Sequence, residues 1–244
     1  MIAEESLSNE DECNTPEISI SRNTLTYSII NSLKQSVPFF KSYITTHLFD
    51  KTLNEDELTQ VFVEQLDIQL RKLNYPFSVK NQYCDIYHES SGFSDFYFHP
   101  IEEGKSTASI FSVESKRLPA PSKSREKEYV IGERIKKDGT KENNGGIERY
   151  KLEIHGKGLF ECGMLGFIEK ENSSFWKTTI NKWIEKLSKS DKNWNKDEVV
   201  KKEENNSEFM YLKSVAHTTA SRNVLLHHLW ISRKEPCCTS SLTR

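Results

Sequence analysis

A glutamate and a lysine two positions apart, Glu114 and Lys116, interrupt SIFSVESKRL (residues 109–118), a run that otherwise has the aromatic and β-branched character of a buried strand. Alternate residues of a strand share a face. Phe111 and Val113 should therefore turn towards a core, and Ser112, Glu114 and Lys116 away from it. A second carboxylate is close at hand. Asp95 lies in FSDFYF, with 18 residues between it and Glu114. An antiparallel hairpin through a turn marked by Pro100 and Gly104 would set both carboxylates on one face. Carboxylates that close repel and shift each other's pKa unless a divalent cation lies between them. Two carboxylates completed by water and a phosphate describe a Mg²⁺ site, with Mn²⁺ as the alternative. Lys116 would then orient a metal-bound water or stabilise charge on a pentavalent phosphorus. A second Glu-x-Lys, Glu103 and Lys105, falls in the expected turn, where both side chains are solvated.

A third acid comes from the preceding segment, KTLNEDELTQVFVEQLDIQLRKL. Leu58, Val61, Phe62, Leu66 and Leu70 keep helical spacing, and Asn54 or Thr52 can cap the N-terminus. Glu55 shares the buried-facing stripe with Leu58, whereas Glu57 lies about 100° round it, so Glu55 is the preferred helix-borne acid. An acid in the first turn also favours the helix dipole, and either residue fills that role. Downstream, Gly145 and Gly146 open a helix-like segment. Free N–H groups at Gly146 and the forked donor of Arg149 would make a phosphate-binding corner. Arg117, next to Lys116, and His155, in IHGKG, are further candidates for phosphate contact. A lone histidine beside glycines, however, is more often a loop cap than a phosphate ligand or base. Arg125 and Tyr129 are candidates for gripping a nucleic-acid backbone.

The rest of the 244-residue chain must hold these groups in place. Ser21 to Phe49, with apolar residues from Leu25 to Leu48, suits two helices broken near Pro38. Three strands follow, around 77–87, 93–98 and 108–118. A long polar loop spans 119–144, CGMLGFIEK reads as a buried strand, and FWKTTINKWIEKLSK is amphipathic through Phe175, Ile180, Trp183, Ile184 and Leu187. Residues 188–208 read as a linker or exposed insertion, and EFMYLKSVAH and NVLLHHLWISR as two closing strands, with His228 and Trp230 packed on one face. The order predicts an α/β fold, a mixed sheet flanked by helices. One domain over 22–236 is expected, preceded by a disordered acidic segment (1–21) and followed by a tail (237–244).

Net charge is −2, with six acids and no Lys or Arg in residues 1–21, against twelve Lys/Arg and eight Asp/Glu over 114–157. That local excess suits a polyanion. The five cysteines (Cys13, Cys84, Cys162, Cys237, Cys238) show no zinc spacing and read as free thiols. No run is long enough to span a membrane, and the acidic N-terminus is unlike a secretory signal. A cytoplasmic protein without membrane association is the expectation.

A glutamate-bearing helix, Asp95 and Glu-x-Lys across a hairpin, then a helix and a further strand resembles the PD-(D/E)XK phosphodiesterase superfamily, over about residues 52–168. Ser94 stands where the family name has proline. The resemblance implies a restriction-endonuclease-like fold and Mg²⁺-dependent hydrolysis of nucleic-acid phosphodiesters. Asp95 and Glu114 would be metal ligands, Lys116 would stand at the nucleophilic water, and Arg149, or else Glu148, would be the basic or amide group from the following helix. EYVIGE and GGIERYKLEIHGKGLFECGMLGFI are similar to uncharacterised bacterial members, several thought to act in defence against phage. DNA, double-stranded, is the expected substrate. A partner subunit or activating signal is expected to target the chain, and a homodimer is compatible with cutting both strands. The competing reading is a nuclease-like binding or assembly subunit that no longer cleaves.

Overall fold

The computed structural model describes residues 22–84, 86–87, 92–136 and 138–233. The expected acidic segment, the tail, Cys13, Cys237 and Cys238 lie outside them. The chain runs α1 (Arg22–His47), α2 (Glu55–Lys72), β1 (Phe77–Cys84), β2 (Phe93–Pro100), β3 (Phe111–Leu118), β4 (Glu133–Ile135), β5 (Lys141–Asn143), α3 (Gly146–Lys151), β6 (Glu161–Ile168), α4 (Ser173–Ser190), β7 (Lys201–Asn205), β8 (Phe209–His217) and β9 (Asn223–Ser232). Seven strands form one mixed sheet in the order β1-β2-β3-β6-β9-β8-β7, and β4 and β5 form a separate hairpin. The antiparallel meander β1-β2-β3 joins a parallel trio, β3, β6 and β9.

Both faces of the central strands are covered, which is why they read as near-continuous apolar runs. On one face, Ile29, Leu33 and Phe40 of α1 and Leu58, Phe62 and Leu66 of α2 pack on Phe96, Phe98, Phe111, Val113, Leu165 and Phe167. On the other, Ile180 and Ile184 of α4 and Tyr150 of α3 pack on Met164, Leu226 and Trp230. This second layer covers β6, β9 and β8; its apolar side chains reach β3 at Leu118, and the Tyr150 hydroxyl of α3 donates to the Ser112 carbonyl at 3.2 Å. The face of β2 and β3 that carries Asp95, Glu114 and Lys116 is left for polar groups.

Several expectations are corrected. α1 is one continuous helix with Pro38 inside it. Pro38 is exposed, so the carbonyl of Lys34 that it leaves without a donor lies on the solvent side. The buried stripe Ile29, Leu33, Val37 and Phe40 carries the helix through. On α4, Trp176 is buried and Phe175 is exposed. Residues 119–144 hold a 3₁₀ turn (Lys123–Arg125) and the β4–β5 hairpin, anchored by buried Tyr129 and Val130. Residues 188–208 hold the edge strand β7, fastened by buried Trp194 and Val200 and by the buried Lys151–Glu198 pair. Asn54 is the N-cap of α2. Cys84 is exposed and Cys162 buried, both free. No helix among the described residues is long and apolar enough to cross a membrane.

Gly166, paired with Lys116 across β3 and β6, shows how tightly the sheet is filled. A Cβ there would lie 2.5 Å from Cδ1 of the buried Trp230 indole. Gly166→Ala is therefore expected to lower unfolding free energy by about 1–3 kcal/mol, read from the urea midpoint at unchanged m-value.

Candidate active site

β2 and β3 pair over only three positions, from Phe98↔Phe111 to Phe96↔Val113. One step further in the same register sets Asp95 opposite Glu114. There the ladder stops, and the β2 side of β3 would present unpaired amides. Two carboxylates take their place. Asp95 Oδ2 accepts the N–H of Ser115 at 2.6 Å, and Glu55 Oε2 accepts that of Arg117 at 2.9 Å. Glu55 can do this because Glu57 is occupied elsewhere. Glu57 closes a capping box with Asn54, accepting from the Asn54 amide at 2.8 Å while its own amide donates to Asn54 Oδ1 at 3.0 Å. Of the other two first-turn acids, Glu55 and Asp56, Glu55 is the one that reaches the end of β3.

Lys116 is enclosed by this arrangement. Its Nζ donates to Glu114 Oε1 at 2.7 Å, to Glu55 Oε1 at 3.2 Å and to the Ser115 carbonyl at 2.9 Å. Burial opposes its charge, but Glu114, Glu55 and Asp95 outweigh burial and raise its pKa above the usual lysine value. Glu114 is wholly buried. Burial works against its ionisation too, yet Lys116, His155 and Arg149 hold it well below the usual carboxylate range. Arg149 Nη1 donates to Glu114 Oε1 at 3.1 Å, and His155 Nδ1 lies 3.0 Å from Oε2. That last approach is out of line for a hydrogen bond, so Oε2 has no donor. Asp95 differs in kind. Desolvation first, then the neighbouring charges of Glu114 and Glu55, push its carboxyl well above the ordinary range despite Lys116 and the Ser115 amide.

Glu55, Asp95, Glu114, Lys116, Arg117 and Arg149 all line one cleft of about 830 Å³. The structure thus brings together the four candidate catalytic residues and Arg149. Three phosphate-contact expectations are corrected. The amide of Gly146 is taken by the Glu128 carbonyl at 2.8 Å, and the next two by Tyr129 and Val130 at 3.2 and 3.0 Å, so the short helix α3 offers no free amide corner. Gly146 is there for packing, because a Cβ would lie 2.5 Å from Met164 Cε. His155 is buried behind Glu114 and does not line the cleft. Arg117 lines it, but its guanidinium is held by Glu169 at 3.1 and 2.5 Å.

Tyr129 is also withdrawn from the surface. Its hydroxyl accepts from Trp230 Nε1 at 2.7 Å and meets His228 Nδ1 at 2.8 Å, which bears out the packed reading of His228 and Trp230. Arg125 lines the cleft but forks onto Glu128, 2.6 Å at each contact. Sequence reasoning missed Glu128, Asn144 and Arg134 on the cleft wall. The Arg125–Glu128 spacing of three was a legible signal for the first. Arg134 carried none, because its place depends on a hairpin that the polar loop did not announce.

The donors offered to a cation are carboxylate oxygens, the hard ligands that Mg²⁺ prefers. Among the described residues no three His, Cys, Asp or Glu side chains are assembled to hold a metal ion. The cleft instead presents the raised carboxyl of Asp95, with Glu114 buried beside it on the neighbouring strand and its Oε2 turned towards His155. Two carboxylates, with the other positions left to water and substrate phosphate, are a sufficient protein share for that ion. No family model, curated protein or solved structure matches this chain.

Proposed function

We propose that the cleft hydrolyses phosphodiester bonds of nucleic acid, with DNA as substrate, in a Mg²⁺-dependent reaction that Mn²⁺ would also support. The observation that carries this reading is the convergence of Glu55, Asp95, Glu114 and Lys116 from a helix and two strands on one cleft wall. The topology supports the finer, restriction-endonuclease-like reading of the sheet. An acid-bearing helix precedes an antiparallel meander, and the next helix leads into a strand parallel to the Glu-x-Lys strand.

Asp95 and Glu114 would hold the cation, which supplies Lewis acidity and a more acidic bound water. The side chains divide the remaining work. Glu114, Glu55 and Asp95 outweigh burial and favour the charged form of Lys116. It would serve as a positive charge and hydrogen-bond donor beside the reacting phosphate. Glu55 anchors Lys116 and the β3 backbone together. Arg149, shared between Glu114 and the Asn143 carbonyl, is placed to turn one arm of its guanidinium to a phosphate oxygen.

A second reading has its own support. The cluster is electrostatically self-sufficient: Glu114 is buried among Lys116, Arg149 and His155, as in a purely structural ion network. On that reading the chain is a nuclease-like binding or assembly subunit. Incubation of the purified protein with DNA and RNA in Mg²⁺ separates the two. Cleavage by the wild type and its loss by at least about a hundredfold in Glu114→Gln, with the fold checked by circular dichroism, supports hydrolysis. Intact DNA and RNA under Mg²⁺ and Mn²⁺, with no calorimetric uptake of either ion, overturns it in favour of the second reading.

A further inference from the structure

Five basic side chains line the cleft, and four of them face carboxylates: Lys116 with Glu114 and Glu55, Arg117 with Glu169, Arg125 with Glu128, and Arg149 with Glu114. Among the described residues the fifth, Arg134 of β4, has no ion pair. The nearby acids are engaged. Glu142, opposite Arg134 in the hairpin register, pairs with Lys136 at 3.4 Å, and Glu133 with Lys141 at 3.0 Å. We infer that Arg134 takes a backbone phosphate of duplex DNA lying along the cleft, with the β4–β5 hairpin as the arm that presents it. This rests on the nucleic-acid reading of the site and deepens it by naming the substrate form and the residue that grips it.

The hairpin is tied to the candidate active site at its root. The Asn144 amide donates to the Gly132 carbonyl at 3.0 Å, and Asn144 Nδ2 to Glu128 Oε1 at 2.8 Å. The Gly132 amide donates to Glu148 Oε2 at 3.2 Å. Arg149 completes the connection, with Nε on the Asn143 carbonyl at 3.1 Å and Nη1 on Glu114. A phosphate held by Arg134 is therefore set in fixed relation to the carboxylate of Glu114. A guanidinium presents forked donors that match phosphate oxygens, and its charge persists at every working pH.

Two features favour duplex over single strand. No aromatic side chain is among the described residues lining the cleft, and single strands are gripped chiefly by stacking on aromatic rings. A two-stranded ribbon, by contrast, fits a duplex major groove, and next to Arg134 the ribbon exposes Ile135, 67% accessible.

Binding is measured on the full chain in EDTA, by anisotropy of a fluorescein-labelled duplex and of one of its strands, over a series of salt concentrations. Arg134→Ala is expected to weaken duplex binding by about tenfold or more. It should also reduce the slope of log affinity against log salt by about one. Arg134→Lys is expected to keep the slope, and Arg71→Ala, which removes the same charge at the far end of α2, to leave both quantities unchanged. If the wild type binds duplex and Arg134→Ala matches it in affinity and slope, the inference is overturned while the proposed function stands. Tighter binding of the single strand overturns the duplex assignment. A wild type that binds neither probe overturns the nucleic-acid reading of the cleft itself.

Discussion

Lys116→Met is expected to abolish DNA cleavage and to lower unfolding free energy by about 3–5 kcal/mol, the usual cost of removing one partner from a buried ion cluster. The magnitude follows from what is left behind. Lys116 Nζ faces Glu114 at 2.7 Å and Glu55 at 3.2 Å, and its charge also acts on Asp95. Methionine fills much of the same volume, so the loss is electrostatic rather than a cavity. Glu114 keeps Arg149 and His155, but Glu55 and Asp95 lose their nearest cation. Their mutual repulsion must then be met by protonation or by another positive charge. Added Mg²⁺ should accordingly raise the melting temperature of Lys116→Met more than that of the wild type, while cleavage stays absent. Urea unfolding with and without Mg²⁺ is the measurement. Equal stability of variant and wild type would mean that Lys116 does not balance the acids as the structure indicates.

Asp95→Asn is expected to uncouple stability from activity. The carboxyl of Asp95 is pushed well above its ordinary value by desolvation, Glu114 and Glu55. A carboxyl whose folded-state pKa is raised holds its proton in the native state over a range where the unfolded chain has released it. Native stability therefore falls as pH rises from the ordinary aspartate range up to the raised value, and the penalty is complete above it. Asparagine removes that charge and can still accept from the Ser115 amide through its carbonyl oxygen. Measured in EDTA, the melting temperature of Asp95→Asn relative to wild type should be near parity at the acid end of the ordinary aspartate range and should climb with pH. Cleavage in Mg²⁺ should be lost at every pH, because the variant no longer offers a charged ligand. A variant whose relative stability is flat with pH would remove the argument that burial and the neighbouring acids disfavour the charged form of Asp95. Such a strained acid beside a fixed ammonium is the pattern in which function is kept at a cost in stability.

How much of this was legible beforehand differs from residue to residue, and the division is physical. Strand alternation and the sequence nearness of β2 and β3 were enough to place Asp95, Glu114 and Lys116 on one face, because successive antiparallel strands commonly pair and alternation assigns the faces. The register itself is set across a ten-residue connection (101–110) by the Phe98↔Phe111 to Phe96↔Val113 pairs. Glu55 is preferred over Glu57 on the helical stripe, and the structure adds a reason the stripe does not contain: Glu57 is engaged in the capping box with Asn54. The expectation for Gly146 failed because whether a helix-start amide is free depends on what chain lies in front of it. Here the carbonyls of residues 128–130 cross that end. His155 reads from its glycine neighbours as a loop cap or a phosphate contact, yet its side chain is buried beside Glu114. The charged stretches 119–144 and 188–208 read as open loops because most of their residues are polar. A few anchors, Tyr129, Val130, Trp194 and Val200, were enough to fix them.

By itself the sequence determined the elements with strong period, the acid and lysine of the polar strand face, and the helix that supplies the third carboxylate. Those are set by backbone periodicity within a few turns or one hairpin, where the geometry is the same in every protein. The tertiary structure alone decided that the second helical layer stops at β3 and leaves an open cleft. It also decided that Arg117 and Arg125 are already taken by Glu169 and Glu128, and that Arg134 is left facing the opening. Which cation finds a carboxylate depends on pairs far apart in the chain, and such pairings are chosen only when the whole core has closed.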